Sequence, residues 1–154
     1  RGRSMRGFVA LFAAAAIALA PVSPAFAAKV SKGDIAESLS SQGYRVEEWG
    51  PRTLGVTVDR FQIRIDIVGP DGDVSYTTLL DEVDGSGISH TVLNEFNNDM
   101  KFGRVYIDDN GFVILQMDRN SAGGASIENI ESDFDVFLQL ISSFLSHLEA
   151  QAIA

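Results

Sequence analysis

Apolar and polar residues alternate most cleanly between Phe61 and Val68. Phe61, Ile63, Ile65 and Ile67 fall on one side, and Gln62, Arg64 and Asp66 on the other. A period of two predicts a half-buried β-strand. Shorter runs of the same kind predict strands over Tyr44 to Trp49, Thr53 to Val58 and Val74 to Leu80. Gly69-Pro70-Asp71-Gly72-Asp73 reads as the turn between the third and fourth of these runs. Asp59-Arg60 is not a strong turn, so Thr53 to Val68 reads as one bent strand or as two. Ahead of the strands, residues 31–42 predict a short helix. Ser31 or Gly33 begins it, Ile35 and Leu39 share a face, and Gly43 closes it.

Beyond residue 85 the period changes. Ile88, Val92 and Phe96 recur every fourth residue, which predicts a helix capped by Ser86 or Ser89 and running to about Asp99. Arg104 to Asp108 and Phe112 to Asp118 then read as a hairpin. Its turn is Asp109-Asn110-Gly111, because Asn-Gly accepts the positive φ of a two-residue loop. Gly123-Gly124 lead to a long helix from Ile127 to about Glu149, with Ser126 as its cap. Ile127, Ile130, Phe134, Phe137, Ile141, Phe144 and Leu148 step by three and four along it, and Val136, Leu138, Leu140 and Leu145 widen the stripe. So broad a face buries against a sheet. Its surplus, at Leu138 and Leu145, offers a contact for a partner or a second copy. The order is helix, three or four strands, helix, two strands, helix. Strands in hairpins rather than alternating with helices give an α+β class with an antiparallel sheet.

The front of the chain has a different pattern. Residues 5–27 place Arg6 before an apolar run from Phe8 to Ala20, then Pro21 and Pro24, then Ala25-Phe26-Ala27. This is the layout of a secretory signal, with cleavage expected after Ala27 and a single domain over residues 28–154. The 13-residue run is short of the roughly 20 residues that span a bilayer. The expectation is therefore a periplasmic or secreted protein with no stable membrane insertion after cleavage. Removing Arg1, Arg3 and Arg6 takes the formal net charge from −9 to −12. That balance argues against nucleic acid as a partner. The chain has no cysteine, so its stability rests on its core and not on disulfides.

Candidate chemistry is sparse. Two histidines, His90 and His147, and no cysteine leave zinc without its usual ligands. The acidic stretches Asp71-Gly72-Asp73, Asp81-Glu82-Val83-Asp84 and Asp108-Asp109-Asn110 lack the spacing of a calcium loop. Gly85-Ser86-Gly87 lacks the flanks of a nucleophile elbow, and His90 has no orienting third group. No metal, cofactor or catalytic set is expected, and the reading is non-enzymatic.

Phe96-Asn97, Phe102-Gly103-Arg104-Val105-Tyr106, Asp108-Asp109-Asn110-Gly111 and Gly123-Gly124 together make the chain resemble the YbjN domain family, a family of proposed bacterial sensory transduction regulators. The resemblance covers residues 31–148 and is most specific over 96–124. Phe96 stands where that family usually has Trp. It implies a type III secretion chaperone-like fold with the order α-β-β-β-α-β-β-α, and it brings no catalytic residues. Within the motif, Asn97 or Asn98 is expected to satisfy backbone groups where the helix frays, or to accept a left-handed conformation. Phe102 is expected to plug the gap between helix and sheet, and Arg104 to pair with an acidic neighbour or a partner's carboxylate. Phe96, Asn97, Phe102, Arg104, Leu138 and Leu145 are the candidate binding residues. The function expected is an exported interaction or regulatory module with a protein partner or as a homodimer. The alternative is a small-ligand sensor with a pocket between sheet and helices.

Overall fold

The computed structural model describes residues 29–153. The proposed signal segment, residues 5–27, and the residues upstream of it lie outside the described residues. Three helices and six strands follow in the order α1 (Lys32–Ser41), β1 (Arg45–Gly50), β2 (Thr53–Val58), β3 (Phe61–Val68), β4 (Asp73–Asp84), α2 (His90–Asp99), β5 (Gly103–Ile107), β6 (Phe112–Arg119) and α3 (Ile127–Ile153). The strands form one antiparallel sheet in the order β1-β2-β3-β4-β6-β5. The class is α+β, as the pattern of periods predicts.

Four strands precede α2, one more than in the order that the resemblance implies. Thr53 to Val68 is two strands because Asp59 takes a left-handed φ of 51° and reverses the chain. A short polar side chain tolerates that conformation at modest cost. The β5–β6 loop also differs from expectation. Asp108 N–H donates to the Phe112 carbonyl at 2.9 Å, and Gly111 N–H donates to the Asp108 carbonyl at 3.0 Å. Three residues therefore make the loop, and of these only Gly111 has a positive φ, of 87°. The two-residue turn with Asn110 also left-handed does not form.

The helix ends follow their sequence signals. Ser31 and Asp34 bond reciprocally in a capping box at α1. Ser89 rather than Ser86 caps α2, and Ser126 accepts from Asn129 N–H ahead of α3. The inward side chains of the sheet are Leu54 and Val56, Ile63 and Ile65, Val74, Tyr76 and Thr78, Val113, Leu115 and Met117, and Val105. Their apolar members form one core with Ile35 and Leu39 of α1, Leu93 and Phe96 of α2, and the α3 stripe Ile130, Phe134, Phe137, Leu140, Ile141 and Phe144. The opposite face of the sheet carries Arg64, Thr77, Gln116 and Arg104 in one row across β3, β4, β6 and β5.

Candidate functional site

The link from α2 to β5 holds a strained backbone. Phe102 has φ 71°, and Gly103 N–H donates to the Lys101 carbonyl at 2.9 Å. These are the features of the tight three-residue turn with positive φ at its centre, which is rare and unfavourable for a residue with a Cβ. Gly103 follows on the core face of β5. A Cβ there would sit 2.5 Å from Leu140 Cδ1, so α3 presses directly on the glycine backbone. Leu140 thus closes the gap between helix and sheet. Phe102 does not plug it, contrary to expectation; its side chain is 77% exposed.

Phe102 overhangs a cavity of about 390 Å³ between the end of β6 and α3. Its walls include Met117 and Val136, and polar groups come from Asp118, Asn120, Ser132 and the Arg119–Asp133 pair. Arg119 reaches this place because it continues the inward row Val113, Leu115, Met117 at a period of two. Asp133 stands beside the buried Phe134 on α3. The pair is bidentate. Arg119 Nε donates to Asp133 Oδ2, and Nη2 donates to Oδ1 at 2.8 Å. That bonding raises the guanidinium pKa above its ordinary value, against a smaller opposing effect of burial. Below it, the Tyr76 hydroxyl faces the Ile130 carbonyl at 3.4 Å. Burial first, and then the charge of Asp133, pushes that hydroxyl far above its usual range, so it stays protonated. At the cavity floor the charges of Arg119 and Asp133 are therefore matched to each other. Asp118, on the rim, accepts from Ser75 at 2.6 Å and from Gln116 at 2.9 Å, and lies 3.7 Å from Arg104 Nη2.

The other expected site residues scatter. Phe96 is in the core at 1% exposure, edge-on to Phe144 with ring centroids 5.0 Å apart, and it presents no binding surface. Asn97 satisfies backbone groups, but those of β5 and not of its own helix: its Oδ1 accepts from Val105 N–H at 2.8 Å, and its Nδ2 donates to the Val105 carbonyl at 3.0 Å. Arg104 does pair with an acidic neighbour, Asp118, and its guanidinium lies 5.9 Å from the Tyr106 ring centre. Leu138 and Leu145 are half-buried against the margin of the core. His147 ties α3 to α2 through a 3.0 Å bond between Nε2 and the Val92 carbonyl. Of the expected set, Phe102 lines the cavity, and Arg104 lies next to it through its pair with the lining residue Asp118. Sequence reasoning missed the Arg119–Asp133 pair, although an arginine in phase with an apolar strand face was its available signal.

Two of the acidic stretches close turns, and the third ties the start of β4 to the segment after β6. Asp84 accepts from the N–H and hydroxyl of Ser86, Asp108 from the N–H groups of Asn110 and Phe112, and Asp73 from Ser121 N–H. Among the described residues no group of three His, Asp or Glu side chains is placed to hold a metal ion. Among those residues no helix is long and apolar enough to cross a membrane.

Residues 31–150 match the profile of the YbjN family, described as "Putative bacterial sensory transduction regulator". Among solved structures the chain is similar to that of YbjN, "a putative transcription regulator from E. coli". The TM-score is 0.55 at 17% sequence identity, over 75% of this chain and 87% of that one. No curated protein gives a significant match.

Proposed function

The chain belongs to the YbjN family, and on that premise we propose that it is a non-enzymatic, exported interaction module of a regulatory system whose partner docks on Phe102. One observation carries this reading. A large aromatic side chain stands in solvent on a backbone turn that glycine would adopt more cheaply, beside a cavity. Exposed aromatic residues next to a concave surface are the usual anchors of protein interfaces. The strain is the kind retained at functional positions. Export is supported by the arrangement of residues 5–27. The acidic balance, −9 over the whole sequence, favours a partner of basic surface.

The cavity volume favours a second reading, a small-ligand sensor, since pockets for such ligands begin at about 300 Å³. The two readings separate experimentally. Crosslinking and affinity purification from the cell envelope should capture a protein with the wild type and lose it with Phe102→Ala, at unchanged melting temperature. Capture that survives the substitution removes Phe102 from the interface. A thermal shift given by small molecules, with no captured protein, supports the sensor reading instead.

A further inference from the structure

The two edges of the sheet are finished differently. On β5, Asn97 occupies the outward N–H and C=O of Val105. On β1, Lys32 Nζ donates to the Gly50 carbonyl at 3.1 Å, but among the described residues no side chain bonds the N–H or C=O of Val46 or Glu48. Ile67 N–H bonds to the Arg52 carbonyl at 2.9 Å, which fixes the bonding phase of β2 against β3. In an antiparallel ladder bonded and non-bonded pairs alternate. Leu54 and Val56 therefore bond toward β3. The pairs Arg45↔Thr57 and Glu47↔Gly55 bond between β1 and β2, and the N–H and C=O of Val46 and Glu48 point away from the sheet. An exposed row of this kind is a template for another strand.

The side chains along this edge match themselves. Arg45 and Glu47 share the helix-free face of β1 and are bonded to each other, at 2.6 Å through Nη2. We propose that β1 pairs antiparallel with β1 of a second copy about a two-fold axis at Val46, joining the two sheets edge to edge. In this register each Val46 N–H donates to the Val46 carbonyl of the other copy. Arg45 of each copy faces Glu47 of the other, closing a ring of four alternating charges on one face. The two Val46 side chains meet on the opposite face. Glu48 N–H reaches the Tyr44 carbonyl of the second copy; the Tyr44 N–H is already bonded to the Leu39 carbonyl. Moving the axis to Glu47 would set like charges opposite, and moving it by half a step would set apolar against charged faces. Only the Val46 register satisfies both patterns. β1 has six residues, so the contact is small beside the roughly 1,200 to 2,000 Å² of a stable complex. The dimer is correspondingly weak and concentration-dependent. β1 and β5 are opposite edges of the sheet, so Phe102 stays free in both copies and this inference does not rest on the docking proposal.

Val46→Pro tests the pairing directly. It removes an N–H that the β1–β2 ladder does not use, and proline is tolerated on an edge strand facing outward. Sedimentation equilibrium of the purified protein should show a monomer–dimer equilibrium between about 10 µM and 1 mM. Val46→Pro should weaken it by about tenfold or more, through loss of two backbone bonds, while the melting temperature holds. A charge pair guards against misfolding of that variant. Arg45→Glu and Glu47→Arg should each be monomeric alone and associate when mixed, because only the mixed dimer sets opposite charges across the axis. Trp49 is the single tryptophan and lies next to this edge over Gly55, so its emission should change with concentration in the wild type. A wild type that is monomeric to about 1 mM overturns the proposal, as does a dimer indifferent to Val46→Pro. So does equal self-association of the two charge variants and the wild type.

Discussion

The side-chain amide of Asn97 stands beside Val105 as a further strand would, accepting from its N–H and donating to its carbonyl. β5 is an edge strand, and one residue of α2 both docks the helix and closes that edge to foreign strands. Asn97→Ala should leave both Val105 groups without a partner and cost about 1 to 3 kcal/mol. Denaturant unfolding measures the loss. Faster hydrogen exchange at the Val105 amide would locate it. Asn97→Asp keeps the acceptor and should fall between the two.

That clamp shows where the sequence stops being readable. The alternation of β3 and the stripe of α3 are local patterns, and both predict the element and the buried face. Asn97 finds its partner eight residues away on another element, and nothing in its own neighbourhood announces that. Asp59 breaks one apparent strand into two with a left-handed backbone that aspartate adopts without a flanking glycine. Phe102 misleads for a steric reason. An aromatic residue between a helix and a strand reads as core, but Leu140 already fills the space over Gly103. The cavity floor needs Arg119 and Asp133 from two elements, and only the arginine's phase on β6 was legible.

Phe137 is fully buried and packs near Tyr76, with ring centroids 5.9 Å apart. Phe137→Ala should cost about 3 to 5 kcal/mol, measured by denaturant unfolding. Leu138 and Leu145 lie at the core margin. Changing either to Asp should lower stability less than Phe137→Ala does, and leave the molar mass by light scattering unchanged. A change in association without a change in stability would instead place a partner on that side of α3.

Several carboxylates stabilise the fold in their charged form. A backbone bond from Ser31 lowers the Asp34 pKa, the Ser86 hydroxyl lowers that of Asp84, and the Phe112 N–H lowers that of Asp108. A pKa lower in the folded than in the unfolded chain gives stability that is present above the unfolded value of about 4 and lost as pH falls through the folded one. The melting temperature should therefore hold from neutrality to about pH 5 and drop on further acidification. Asp108→Asn should lower it at neutral pH and make the acid limb shallower. A melting temperature that rises below pH 4 contradicts this account.

The arrangement of residues 5–27 sets a test of compartment. Protein purified from the periplasm or medium of a bacterium expressing the chain should begin at Ala28 by N-terminal sequencing. An intact leader in a membrane fraction would place the protein elsewhere and would make its partner membrane-bound.

Phe102 joins the energetic and functional arguments in one substitution. Its backbone is left-handed at φ 71° and its side chain is mostly in solvent, so it contributes strain and little burial. Glycine adopts that conformation freely. Phe102→Gly should therefore stabilise the fold, by about 1 kcal/mol where such strain costs 1 to 3 and glycine gains unfolded-state entropy. Phe102→Ala keeps the strain and should leave stability nearly unchanged. If the ring is the partner's anchor, both variants lose the captured protein although one is more stable than the wild type. That pairing of gained stability with lost association separates a functional aromatic residue from a structural one. A destabilised Phe102→Gly would mean that the ring packs on the cavity wall and holds the β5 end in place, and the docking proposal would then fail.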